Sequence, residues 1–361
     1  MENRNLINRL LYGKPYFGSD LASMQGVPRR HLWFHSVIKK VLESNEGEIK
    51  KIKILEIGSY AGFSTCSWCE VAKQLKIDFS ITCVDSWEPY FLDSNLEHDQ
   101  SVYSVMNKAL QSNLAYELFV YNLTKKGFID KVIIKKSDSK ALLKRLPEKS
   151  FDLIFIDGSH LYDDVISDIY YSKKLVKPLG IICGDDLEIQ ASNFKSEDLQ
   201  FLVDSGLDTF IPMDNIEKKS SYNYKNSSYL YYSLAKRLIS IIPYGFHPGV
   251  TKAVFEQFGT VESCDGFWVA PSKAVYNFDS NLLFLPTTVF DSLSSDNKEG
   301  KILKVTNNYK IINIFDLLFY CVEKEIEINQ LTVENLNKLV QKNHATLFLT
   351  IEKALDFCKK L

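Results

Sequence analysis

Four residues able to do acid–base or metal chemistry stand just beyond two consecutive apolar runs. Asp157 and His160 follow Leu153–Ile156, and Asp185 and Asp186 follow Gly180–Cys183. If these runs are neighbouring strands, three carboxylates and one imidazole converge on one edge of a pocket. Such crowding is costly unless a cation sits among the acids or a proton is shared. An oxygen-rich set suits a hard divalent ion, Mg2+ before others, with open positions for a substrate. Taken singly, each residue has a plainer use: Asp157 as a helix cap, Asp185 and Asp186 as turn acids, His160 as a loop histidine. Acids after consecutive buried strands mark a functional edge more strongly than scattered ones do.

A second constellation lies upstream. The run Glu56-Ile57-Gly58-Ser59-Tyr60-Ala61-Gly62 follows an apolar strand candidate and precedes a helical one. Glycines at such a junction permit tight dihedrals and close approach of a ligand to the backbone. Asp85 ends the next apolar run, where an acid can accept two hydrogen bonds from a ribose diol. A dinucleotide fingerprint needs glycines at its first, third and sixth positions. Counted from Gly58, the third is Tyr60 and the sixth Phe63, so that pattern fails. Glu56 would repel a pyrophosphate and suits the ammonium of an amino-acid tail on a nucleoside.

The elements that must position these residues are legible as alternation. Ile52–Ile57, Ser80–Val84, Lys131–Lys135, Leu153–Ile156 and Gly180–Cys183 read as strands. Phe63–Leu75, Gln100–Thr124, Ser139–Leu146 and Tyr162–Leu175 read as helices. This repetition predicts an α/β fold with a doubly wound, mostly parallel sheet, whose ligands sit beyond the carboxyl ends of the strands. Residues 1–50 read as an N-terminal helical cap, with apolar residues at helical spacing across His31–Leu42. Residues 51–275 form the main domain, its helix Gly249–Phe258 and strand Gly266–Ala270 resuming after an Asn-, Lys-, Ser- and Tyr-rich insertion over 188–246, a candidate acceptor lid. Residues 276–361 read as a small accessory α/β domain, with helices near Ile314–Lys324, Val333–Lys342 and Ile351–Leu361.

Composition removes other classes. The 361 residues are 45% hydrophobic and 24% charged, as in a globular protein. With 43 basic and 45 acidic residues the net charge is -2, which argues against a general nucleic-acid partner. No apolar window has membrane-spanning length, and the N-terminus lacks the apolar core of a secretory signal. Seven dispersed cysteines form no disulfide framework, so a reducing cytoplasm fits. Cys66-Ser67-Trp68-Cys69 has redox-pair spacing but falls in a helix after the glycine turn, where packing is the expected role. The oligomeric state is left open, a homo-oligomer included.

The glycine run resembles the first motif of class I S-adenosylmethionine-dependent methyltransferases, and Val84-Asp85-Ser86-Trp87 resembles their ribose-binding motif. Ser137-Asp138-Ser139 is similar to the segment that meets adenine's polar edge, although ordinary helix capping explains those residues nearly as well. The resemblance implies a seven-stranded sheet and S-adenosylmethionine as cofactor. The implied binding residues are Glu56, Gly58, Tyr60, Gly62, Asp85, Ser86, Trp87, Ser137, Asp138 and Asp157, with Gly58 and Gly62 on the methionine side and Trp87 against adenine.

Asp157-Gly158-Ser159-His160, with Tyr162, Val165 and the later Gly249-Val250-Thr251-Lys252-Ala253-Val254, resembles the metal-assisted O-methyltransferases of the macrocin type, which act on macrolide sugars. That likeness implies Asp157, Asp185 and Asp186 as Mg2+ ligands and His160 as the catalytic base, with Asp157 also in the catalytic set. Asp163 or Asp164 is a candidate to orient the imidazole. In the catechol-type branch the position of Asp186 is normally Asn and a lysine is the base; this chain departs on both counts. The implied partner is a small-molecule or glycan substrate carrying a sugar hydroxyl, with Tyr222, Tyr224, Tyr229, Tyr231 and Tyr232 of the insertion as candidate contacts. The competing readings are a phenolic or other natural-product acceptor, and a noncatalytic nucleoside-binding scaffold.

Overall fold

Short β-branched and aromatic runs that end on an acid or a glycine, each followed by residues at helical spacing, pair in parallel with the helices as crossovers. The chain builds this in order. Helix α1 (Pro28–Ser44) precedes strand β1 (Lys51–Ile57), α2 (Phe63–Gln74), β2 (Asp78–Asp85), α3 (Val102–Gln111), α4 (Leu114–Lys126) and β3 (Val132–Lys136). Then come α5 (Ser139–Leu143), β4 (Phe151–Ile156), α6 (Tyr162–Leu175), β5 (Val176–Leu187), α7 (Ser196–Asp204), β6 (Ile211–Pro212), β7 (Gly245–Phe246), α8 (Pro248–Phe258), β8 (Glu262–Cys264) and β9 (Gly266–Pro271). The computed structural model describes residues 10–17, 28–89, 102–212, 245–264, 266–271, 311–313 and 348–350.

Seven strands form one sheet in the order β3-β2-β1-β4-β5-β9-β8, and β9 runs antiparallel to both of its neighbours. The expected α/β fold with a mostly parallel seven-stranded sheet is therefore the observed one. Strand order reverses between β1 and β4, which opens a crevice at their carboxyl ends. Register carries the chemistry: Ile57 pairs with Ile156, and Ile156 with Gly184. The residues that follow, Gly58, Asp157 and Asp185, thus emerge side by side at one edge.

Period-2 alternation sends successive strand residues to opposite layers. Ile52, Ile54, Leu153, Phe155, Ile181 and Cys183 join α1, α2 and α4 on one face. Leu55, Ile57, Ile154, Ile156 and Ile182 join α6 and α8 on the other. Helix α1 is a full layer member: Phe34 is fully buried and stacks on Trp68 with ring centroids 3.6 Å apart.

Several boundaries differ from the sequence expectation. The single helix expected over Gln100–Thr124 is two, α3 and α4, separated at Asn113, whose φ of 61° breaks the helical path. Strand β5 extends well beyond Gly180–Cys183, and β8, three residues long, is too short to leave a pattern. The first part of the insertion holds α7. The five tyrosines proposed as acceptor contacts, and the three C-terminal helices, lie outside the described residues. Of the accessory region, β10 (Ile311–Asn313) and β11 (Phe348–Thr350) pair antiparallel. Among the described residues no helix is long and apolar enough to cross a membrane.

Gly58 has a φ of 84°, and a Cβ there would lie 1.9 Å from the Asp157 carbonyl oxygen. Gly127, with a φ of 73°, has open space around it. Gly58→Ala is expected to cost about 3 kcal/mol or more, from left-handed strain plus the backbone collision. Gly127→Ala should cost about 1 kcal/mol from strain alone. Urea denaturation of the two variants checks this, and equal losses would contradict the steric account.

Candidate functional site at the carboxyl edge of the sheet

The turn after β1 is tied to the end of β2. Asp85 accepts backbone hydrogen bonds from Ser59 (2.8 Å) and Tyr60 (2.9 Å) on one oxygen and from Trp87 (2.7 Å) on the other. Burial raises its pKa, while those amide bonds pull it back down. Beside it opens a cleft lined by Gly58, Asp85, Ser86, Ser137, Asp138, Ser139, Gly158, Ser159, Asp164 and Asp168, among others. Four serines and four aspartates are among the lining residues, groups that suit a ligand carrying N–H and O–H donors.

The acids converge as the register requires. One carboxylate oxygen from each of Asp157, Asp185 and Asp186 lies within 4.8 Å of the others. Asp185 and Asp186 are consecutive, and a regular strand would send them to opposite faces. A register irregularity between Gly184 and Leu187, and a φ of 66° at Asp186, bring both acids into the cluster. His160, with a φ of 65°, lies between two of the acids. Its Nε2 is 2.9 Å from Asp186 Oδ2 and 3.4 Å from Asp157 Oδ1. Burial alone would depress its pKa, but Asp186 and Asp157 outweigh it and push it up to about 10. The imidazolium therefore stands in for a cation. The chemistry of this donor set fits a hard divalent ion held by the three carboxylates.

The structure brings His160, Asp157, Asp185 and Asp186 together, and it sets Gly58, Asp85, Ser86, Ser137 and Asp138 on the cleft. Four other residues expected at the cofactor, Glu56, Tyr60, Gly62 and Trp87, are not among those that line the cleft. Glu56 is fully buried beneath the turn, where one oxygen accepts from Ser59 (2.8 Å), Thr65 and the Cys83 thiol. Burial pushes its pKa up to about 7 against the pull of those donors. Its side chain is enclosed by the core and does not line the cleft. Tyr60 and Trp87 are buried, and the Trp87 indole donates to the Tyr60 carbonyl (2.8 Å) while packing on Tyr116 and Phe119. A Cβ at Gly62 would meet the Phe119 ring at 2.9 Å. Glu56 and Trp87 thus brace the turn from inside through Ser59 and the Tyr60 carbonyl.

Asp164 does not orient His160. It accepts from Ser159 and pairs with Lys140 at 2.6 Å, while Asp163 is exposed. The cysteine pair is no redox centre: Cys66 and Cys69 are buried, and burial drives both thiols far above their ordinary range. Asp138 caps α5 by accepting from Ala141 (2.8 Å).

Sequence reasoning missed Asp168 and did not bring His247 to the acid cluster. Asp168, one helical turn after Asp164, lines the cleft while almost wholly buried, and burial pushes its pKa up to about 7. The i,i+4 spacing of the two acids was the available signal. His247, in the turn before α8, is buried with its ring centroid 4.8 Å from that of His160. Its Nδ1 is 2.9 Å from Glu188 Oε1 and 3.7 Å from Asp186 Oδ1. Only folding joins it to residues sixty positions away.

Residues 55–187, from within β1 to the end of β5, match the family described as a methyltransferase domain. The matched segment contains Asp157, His160, Asp185 and Asp186. Solved structures similar to it include the cofactor-bound Rv0187 from MTB, at 16% identity and a TM-score of 0.36 over 74% of this chain and 89% of that one. The O-methyltransferase TomG from Streptomyces achromogenes, in complex with SAM, is 13% identical with a TM-score of 0.31 over 66% and 76% of the two chains. An O-methyltransferase from Bacillus cereus in complex with SAH is 12% identical with a TM-score of 0.32 over 67% and 78%. Likenesses this distant assign no activity. No curated protein matches the chain.

The His160 pair makes a pH prediction. Its folded pKa, about 10, stands above its ordinary value of 6.5, so its stabilising contribution is full below about 6.5 and lost as pH rises through about 10. Imidazole NMR titration of the metal-free protein should show His160 protonated at neutral pH. Asp186→Asn should bring its titration back toward the ordinary range; an unchanged midpoint would mean that Asp186 does not hold the proton there.

Proposed function

We propose that the chain is a Mg2+-dependent O-methyltransferase that moves a methyl group from S-adenosylmethionine to a sugar hydroxyl of a glycan, glycoside or nucleotide sugar. One observation carries the reading: three carboxylates and an imidazole cluster at the carboxyl ends of β4 and β5, next in sequence to Gly158 and Ser159 of the cleft lining, inside the segment that matches the methyltransferase family. Asp157, Asp185 and Asp186 would hold the ion. Gly58, Asp85, Ser86, Ser137 and Asp138 would border the nucleoside, Asp85 with lone pairs not taken by its three amide bonds. When bound, S-adenosylmethionine supplies a methyl carbon on a cationic sulfur, open to in-line displacement, and Mg2+ acidifies a hydroxyl bound to it.

The rest is done by residues of the chain. Asp157 and Asp186, which hold His160 protonated in the free site, would lose that hold if their charge were offset by a bound ion. Nε2 then has a lone pair, and a neutral imidazole at this position can take the proton of an acceptor hydroxyl. An aliphatic sugar hydroxyl is a very weak acid, so it needs both an acidifying ion and a base, and this edge has residues for each. Gly58, whose missing side chain lets the turn rest on the Asp157 backbone, keeps the cleft and the acid cluster adjacent.

His160→Ala is expected to lower turnover by roughly a hundredfold or more while S-adenosylmethionine affinity stays within a few-fold of the parent. Mass analysis of sugar nucleotides, glycosides and catechols incubated with enzyme, S-adenosylmethionine and Mg2+ tests the acceptor. Undiminished turnover in the variant would remove the histidine from the mechanism, activity resistant to chelators would remove the ion, and methylation confined to phenols would replace the sugar.

A further inference from the structure

Asp186 faces two ways. Its Oδ2 meets His160 Nε2 at 2.9 Å, and its Oδ1 lies 3.7 Å from His247 Nδ1. One ligating atom from each of His160, Asp186 and His247 falls within 4.8 Å of the others. Glu188 Oε1 lies a further 2.9 Å from His247 Nδ1. Tetrahedral Zn2+ with nitrogen and oxygen ligands at about 2.0–2.2 Å needs ligand-to-ligand separations of roughly 3.3–3.5 Å. The Asp186–His160 and Asp186–His247 separations, 2.9 and 3.7 Å, lie on either side of that value, and all three ligand atoms fall within 4.8 Å, so small side-chain rotations suffice. The set is also chemically distinct from the all-oxygen trio: two imidazoles favour Zn2+, Co2+ or Ni2+, whereas Mg2+ prefers oxygen.

We infer that His160, Asp186 and His247 form a second, nitrogen-containing cation site selective for Zn2+-like ions, with Glu188 within reach of the fourth position. The site goes beyond the proposed methyl transfer but shares His160 and Asp186 with it. Binding there uses the Nε2 lone pair of His160 in a metal bond and sends the displaced imidazolium proton to solvent. A cation in this site therefore blocks the base and competes for Asp186 with an ion in the oxygen trio. Zn2+ becomes an inhibitor of whatever reaction His160 serves.

The test needs no cofactor or acceptor, so it stands or falls separately from the methyltransferase reading. Co2+ added to the purified full chain should give the intense visible bands of a four-coordinate site with nitrogen ligands, and Zn2+ should abolish them. His247→Ala should weaken Co2+ binding by about tenfold or more, with Asp185→Asn changing it far less. In the parent protein, Zn2+ should shift the ring nitrogens of both His160 and His247 in NMR spectra, which keeps the test valid if the His247 variant does not fold. Faint six-coordinate spectra, or binding lost in Asp185→Asn and kept in His247→Ala, would place the ion in the oxygen trio and overturn the inference.

Discussion

Unbalanced negative charge at the carboxyl edge of the sheet is the constraint around which the site is organised. Three carboxylates lie within 4.8 Å of one another in a largely buried setting. Like charges so close in low dielectric repel strongly. The protein answers with one imidazolium between two of them, which explains why His160 holds its proton so far above the usual histidine range. That answer is reversible. Under the proposed function, a divalent ion would offset the charge of the same acids and leave the imidazole free to act as a base.

Geometry at this edge is maintained at a conformational cost. Tyr60, Trp87 and His160, which follow β1, β2 and β4, and Asp186, in the distorted end of β5, all have positive φ. Such dihedrals cost roughly 1–3 kcal/mol each in residues with side chains. They persist because Asp85 binds three amides, Trp87 packs on Tyr116 and Phe119, and Gly58 rests on the Asp157 backbone. The apolar layers on either side supply the rigidity against which these turns are held.

Two acids with similar sequence settings do different work. Glu56, beside the glycines, is sealed in the core by hydroxyl and thiol donors, while Asp85 faces both the turn and the cleft. His247 reaches the acid cluster from the start of α8, on the far side of the insertion. Its pairing with Glu188, two residues past Asp186, couples the end of β5 to the element that resumes the fold.

Alternation of apolar runs with helical spacing made the α/β fold legible in the sequence. The acids after consecutive strands made the edge legible too, because parallel strands must end on the same side. Sequence also gave the residue types of the acid cluster and the glycine at the crowded turn. Which carboxylates share a pocket depended on register, through Ile57 opposite Ile156 and Ile156 opposite Gly184. The distortion that carries both Asp185 and Asp186 inward left no mark in composition or periodicity. That the Glu56 and Trp87 side chains are buried was not legible for the same reason: a strand-end residue points to the cleft or the core according to backbone twist and neighbouring packing. His247 joined the site only through tertiary folding, since proximity across sixty residues is decided by how the layers close.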